Sequence, residues 1–124
     1  MYVLCLSNEP LFPTQIKTAF ANRIDEVDCR TDLEEFLTSA RSGEWDVLLV
    51  DLDALTSEYS NPLEFCKQLG SRPGVLILGP SRLSEQREEI ESAGHKLMLK
   101  PAVIGEIGLA LHKLVADEKL RNAN

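Results

Sequence analysis

Histidine and cysteine are scarce in this chain. The two histidines, His95 and His112, stand alone, so a histidine-based metal site is not expected. The three cysteines, Cys5, Cys29 and Cys66, are odd in number, widely spaced and without a CxxC pair. That pattern argues against a disulfide framework or a zinc site and reads as reduced, buried thiols of a cytosolic protein. No apolar run approaches the length that spans a bilayer. The opening residues Met1 to Leu6 carry neither a positive leader nor a small-residue cleavage site, so no signal peptide is expected. Positive charge is also short: 13 Lys and Arg stand against 20 Asp and Glu, a net charge of −7. Such a field repels nucleic acid, and no basic patch offsets it.

What remains is enough for a core. The 124 residues make one domain's worth, with 44% hydrophobic and 27% charged residues. There is no internal repeat or low-complexity segment. Two hydrophobic patterns alternate instead.

Tyr2 to Leu6 is an apolar run that stops at Ser7-Asn8-Glu9-Pro10 and predicts a buried strand and a turn. Pro10 suits a first helical turn, and Phe12, Ile16, Ala19 and Phe20 follow at helical spacing. Ile24 to Cys29 predicts an edge strand. Thr31 and Glu34 have capping-box spacing, ahead of a helix with Leu33, Phe36, Leu37 and Ala40 on its apolar stripe and Gly43 at its end. Val47 to Val50 is continuously apolar, as in a strand covered on both faces. Leu63, Phe65, Cys66 and Leu69 predict a short helix closed by Gly70, and Val75 to Leu78 a second buried strand. Ser84 starts an acid-rich helix that stops at Gly94, Leu97 to Leu99 is a last strand, and Ile104, Ile107, Leu111, Leu114 and Val115 mark a final helix.

Strand and helix thus alternate five times, which implies a parallel sheet with helices on both faces and right-handed crossovers. Open sheets of this kind hold ligands at the carboxyl ends of their strands. Four segments lie there: Ser7-Asn8-Glu9, Asp51-Leu52-Asp53, Gly79-Pro80-Ser81 and Lys100-Pro101. Asp51 closes the most apolar strand and Lys100 the last one. An aspartate is a known covalent phosphoryl acceptor, and a lysine can bridge to it by charge-assisted hydrogen bonds. The same two residues also read as a structural ion pair.

The strand Asp46 to Leu52, the apolar strand Val75 to Leu78, the ending Leu99-Lys100-Pro101 and the Glu9-Pro10 pair together resemble the receiver domain of bacterial response regulators. The resemblance covers nearly all of the chain. It implies a flavodoxin-like, doubly wound sheet of five parallel strands, order 2-1-3-4-5, with five helices. It puts Asp51 at the phospho-acceptor position and Lys100 at the position of the family's conserved lysine.

The departures are equally specific. Ser7-Asn8 stands where the family has two adjacent metal-binding acids. Gly79 stands at the switch hydroxyl, with Ser81 two residues late, and Leu97 stands at the aromatic switch position. A hard cation binds neutral oxygens less well than carboxylates. Magnesium, held weakly or not at all, would fall to Asn8, Glu9 and Asp51, and no resident cofactor is expected.

Asp53 and the run Glu85, Glu88, Glu89 and Glu91 read as solvated acids. Residues 1–116 read as the domain, and 117–124, polar and helix-compatible, as the start of a helical linker to a further effector domain. The reading favoured by these features is an atypical receiver: a non-enzymatic, cytoplasmic module for protein–protein interaction in signalling. Its expected partners are a histidine kinase, a fused effector or a second copy, and the resemblance implies docking through a face made by the fourth helix, fifth strand and fifth helix; neither nucleic acid nor membrane is expected. The alternative is a weak but working phospho-acceptor in which Glu9 helps to hold magnesium. A third class, a flavodoxin-like small-molecule or nucleotide binder, lacks the glycine-rich phosphate loop after its first strand.

Overall fold

The computed structural model describes residues 1–9, 12–20, 22, 24–52, 64–65 and 73–122, and the side chains of all of these except residues 42, 121 and 122. The elements run β1 (Tyr2–Leu6), α1 (Phe12–Ala19), β2 (Glu26–Arg30), α2 (Leu33–Ser42), β3 (Val47–Asp51) and β4 (Gly74–Gly79). A 3₁₀ segment (Ser81–Gln86) then leads into α3 (Arg87–Ser92), followed by β5 (Lys96–Leu99) and α4 (Ile104–Asn122). The sheet order is β2-β1-β3-β4-β5, with every pairing parallel. This is the expected 2-1-3-4-5 arrangement. The predicted helix of Leu63, Cys66, Leu69 and Gly70 lies outside the described residues, apart from Glu64 and Phe65, which are helical. The five expected helices are therefore four among the described residues, and α3 is the fourth helix of the sequence-based expectation.

Side chains of successive strand residues point to opposite faces, and the two faces bury separate layers. Leu4, Leu6, Leu48, Val50, Val75, Ile77 and Leu97 pack with Phe36 and Leu37 of α2, Leu83 and Ile90. Val3, Cys5, Val47, Leu49, Leu76 and Leu78 pack with Ile16 of α1 and with Ile107, Ala110, Leu111 and Leu114 of α4. A strand buried on both sides needs continuous apolarity, which is why β3 and β4 read as unbroken apolar runs. On the second face α1 and α4 approach closely: a Cβ at Gly108 would run into the ring of Phe20.

Several element ends differ from expectation by a residue or more. The cap of α2 is Asp32, not Thr31: the Glu35 backbone N–H donates to Asp32 Oδ2 at 3.2 Å. An aspartate accepts this bond as well as a threonine does, so two adjacent capping residues competed and the second won. The edge strand β2 runs from Glu26 to Arg30 rather than from Ile24 to Cys29. Ile24 instead ends the preceding turn, its N–H donating to Phe20 O at 2.9 Å. The acid-rich helix does not begin at Ser84, because Ser81 to Gln86 is wound as 3₁₀ and the α-helix starts at Arg87.

The end of α3 is as expected. Gly94 has φ of 93°, a left-handed conformation that glycine adopts without steric cost. The N–H groups of Gly94 and His95 return to the carbonyls of Glu91 and Ile90 at 3.1 and 3.2 Å. These two bonds make a Schellman cap.

Candidate functional site

The carboxyl ends of β1, β3, β4 and β5 converge because the strands are parallel, and the residues of interest lie there. Asp51 is the last residue of β3 and is only 5% exposed. Lys100 follows β5 directly. Its backbone N–H donates to Gly79 O at 2.8 Å, which fixes the start of its side chain beside β4. From there Lys100 Nζ reaches 2.6 Å from Asp51 Oδ1. The sequence places these two residues 49 positions apart, and the sheet brings them into one charge-assisted contact. The Lys100–Pro101 peptide is cis.

The turn after β1 is built differently. Ser7 is fully buried, with its N–H donating to Arg30 O at 3.1 Å and its Oγ accepting the Glu9 N–H at 3.1 Å. The hydroxyl therefore closes a local turn. Asn8 and Glu9 are exposed. Glu9 nonetheless lines a cavity of about 490 Å³ shared with Asp51 and Lys100, whose apolar wall includes Phe12, Leu78, Ile104 and Ile107. Sequence reasoning gave no sign of this apolar annex, because its wall is assembled from α1, β4 and α4. Among the described residues no three His, Cys, Asp or Glu side chains gather as metal ligands. Asp53 lies outside the described residues.

The switch positions are packed rather than open. A Cβ at Gly79 would lie 2.6 Å from Leu83 Cδ1 and 2.9 Å from Leu52 Cδ1. Two leucine methyls thus fill the space that a side chain on residue 79 would enter. Ser81 is exposed in the 3₁₀ segment, and Leu97 is buried in the core layer beside Ile77, its register partner on β4. His95, also buried, takes a structural role: its Nδ1 accepts the Val75 N–H at 3.0 Å.

No protein-family model and no curated protein matches the sequence. Solved structures do match the fold. The receiver domain of the Francisella response regulator 1452 superposes with a TM-score of 0.73 at 21% identity, over 94% of this chain and 98% of that one. The receiver domain of a Pseudomonas aeruginosa sensor histidine kinase, which has magnesium coordinated in its active site cleft, gives 0.66 at 23% identity, over 93% and 97%. A streptococcal protein from a family of redox sensors evolved from two-component response regulators gives 0.77 at 15% identity. That match covers 98% of this chain and 54% of the other. Topology, strand order and these superpositions agree: the chain has the fold of a response regulator receiver domain.

Proposed function

We propose that the chain is an atypical receiver that acts as a protein–protein interaction module in signal transduction, without relying on magnesium-dependent phosphorylation of Asp51. The observation that carries this reading is the chemistry at the ends of β1 and β3. Ser7 is neutral, buried and committed to a turn. Asn8 is neutral, and Asp51 Oδ1 is in contact with an ammonium. Magnesium favours carboxylate over neutral oxygens. Of the two carboxylates at this pocket, Asp51 is already engaged by Lys100 while Glu9 is exposed on the following turn, so this donor set fits it poorly. The packed position at Gly79 supports the same reading, since a phosphoryl-sensing hydroxyl has no room there unless Leu83 and Leu52 move.

The interaction surface in this reading is the face of α3, β5 and α4, where Leu109 and Leu120 are 58% and 68% exposed. Its partners would be a kinase, a fused effector or a second copy of the chain. A cytoplasmic setting fits the thiols, and among the described residues no helix is long and apolar enough to cross a membrane.

One observation favours the second reading, a weak phospho-acceptor: Glu9 lines the same cavity as Asp51. Incubation with a small phosphodonor and magnesium, read by intact mass, separates the two. The proposal expects no adduct. A stoichiometric gain of about 80 Da, one phosphoryl group, that disappears in Asp51→Asn would overturn it in favour of the second.

A further inference from the structure

The signalling reading leaves a pair of thiols without a role. Cys5 on β1 and Cys29 on β2 are direct partners in the parallel register. Partnered residues of parallel strands project to the same face, and both thiols belong to the same core layer. Neighbouring strands run about 4.8 Å apart, within the roughly 4.4–6.8 Å between Cα atoms that a disulfide spans. Its preferred Cβ separation, about 3.8 Å, is shorter than the strand spacing. The remaining approach falls to β2, which among the described residues is an edge strand paired only with β1.

The two sulfurs are unequal. Cys5 is fully buried and Cys29 only partly. The Cys5 thiol is pushed far up by its hydrogen bond to Cys29, by burial and by the charges of Cys29 and Asp51. The Cys29 thiol is pulled down from 9.0 to about 7 by the hydrogen bond from Cys5, against the opposing effect of burial. Arg30 assists this lowering and Asp28 opposes it. Cys29 is thus the more accessible thiol and the readier of the two to ionise, although as a thiol its Sγ donates to the carbonyls of Ser7 and Arg30, each at 3.9 Å. Cys5 is held protonated beside it. A thiolate, not a thiol, is the nucleophile.

We propose that Cys29 and Cys5 form a peroxide-responsive dithiol, with Cys29 as the attacking thiol and Cys5 as the resolving one. The Cys29 thiolate attacks one oxygen of a hydroperoxide. The O–O bond breaks, sulfur gives up two electrons, and the leaving oxygen takes a proton from solvent. Cys29 is then a sulfenic acid. Its negative charge is gone, so one of the effects holding the Cys5 proton is removed. Cys5 sulfur then attacks Cys29 sulfur, the S–O bond breaks, and hydroxide leaves with the Cys5 proton as water. Two thiols and one hydrogen peroxide give one disulfide and two waters. The bond would tie edge strand β2 to β1 two residues before Ser7, next to the Asp51 pocket. This inference does not depend on whether Asp51 accepts phosphate.

The test treats the reduced full chain with hydrogen peroxide, blocks the remaining thiols with an alkylating agent, and reads intact mass and peptides. The expected result is a loss of about 2 Da (two hydrogens), two fewer alkylated cysteines and a Cys5–Cys29 linked peptide. Cys66→Ser should leave this unchanged, and Cys29→Ser should abolish it. Cys5→Ala should stop at a gain of about 16 Da on Cys29, the sulfenic stage. A disulfide that includes Cys66, a link between two chains, or a Cys29 left fully alkylatable would overturn the proposal, and the unmutated chain alone decides this.

Discussion

Lys100 Nζ lies 2.6 Å from Asp51 Oδ1 at the point where β3 and β5 end, with the aspartate side chain nearly covered and the lysine 30% exposed. Lys100 thus occupies the Oδ1 side of Asp51. The pair accounts for how a carboxylate is kept at the end of an otherwise apolar strand.

The pair should show in stability. Removing one member of a fully buried pair costs about 3–5 kcal/mol, because a charge is left uncompensated. Lys100 is partly solvated, which screens the interaction, so Lys100→Met is expected to cost about 1–3 kcal/mol in urea unfolding. Asp51→Asn combined with Lys100→Met should cost less than the sum of the two single changes, since no charge is then stranded. Additive effects would show that the contact carries no coupling.

The packed site at Gly79 gives a second expectation. Introducing a hydroxyl by Gly79→Thr forces Leu83 and Leu52 out of place and should destabilise the domain by about 1–3 kcal/mol, the usual range for overpacking. Leu83→Ala alone should cost about 2–5 kcal/mol through the cavity it opens. Together the two should cost clearly less than their sum, because the threonine occupies space that the leucine vacated. Thermal or urea unfolding of the four proteins reads this directly.

The third expectation is a pH profile. Cys29 is held near about 7, and only its thiolate reacts. Its alkylation rate by iodoacetamide should therefore rise with pH and reach half its plateau near pH 7, well below the ordinary cysteine value of 9.0. Cys5→Ala removes the hydrogen bond that lowers it, so the midpoint should move upward in that variant. A midpoint that stays put would show that Cys5 does not set the reactivity of Cys29.

Much of the fold was legible because the central strands are buried in a way that leaves a one-dimensional trace. Val47 to Val50 and Val75 to Leu78 are apolar without interruption since helices cover both sides of the sheet. Gly94 marked a helix end because the left-handed turn there tolerates little else. The boundaries that shifted were those where local options compete, as with Thr31 and Asp32 at one helix start. The candidate site was legible as a set of strand ends, and Asp51 and Lys100 do meet there. The fill around Gly79 was not, because Leu52 and Leu83 reach it only through tertiary packing. Likewise, nothing in the spacing of Cys5 and Cys29 signals that they are neighbours; strand register alone brings them together.

Magnesium binding tests the central claim most directly. Titration of the purified chain with magnesium, followed by calorimetry, should show no saturable site at millimolar concentration, and Asn8→Asp, which adds one carboxylate at an exposed position, should strengthen binding relative to it. Saturable binding by the unmodified chain that is lost in both Asp51→Asn and Glu9→Gln would contradict the account.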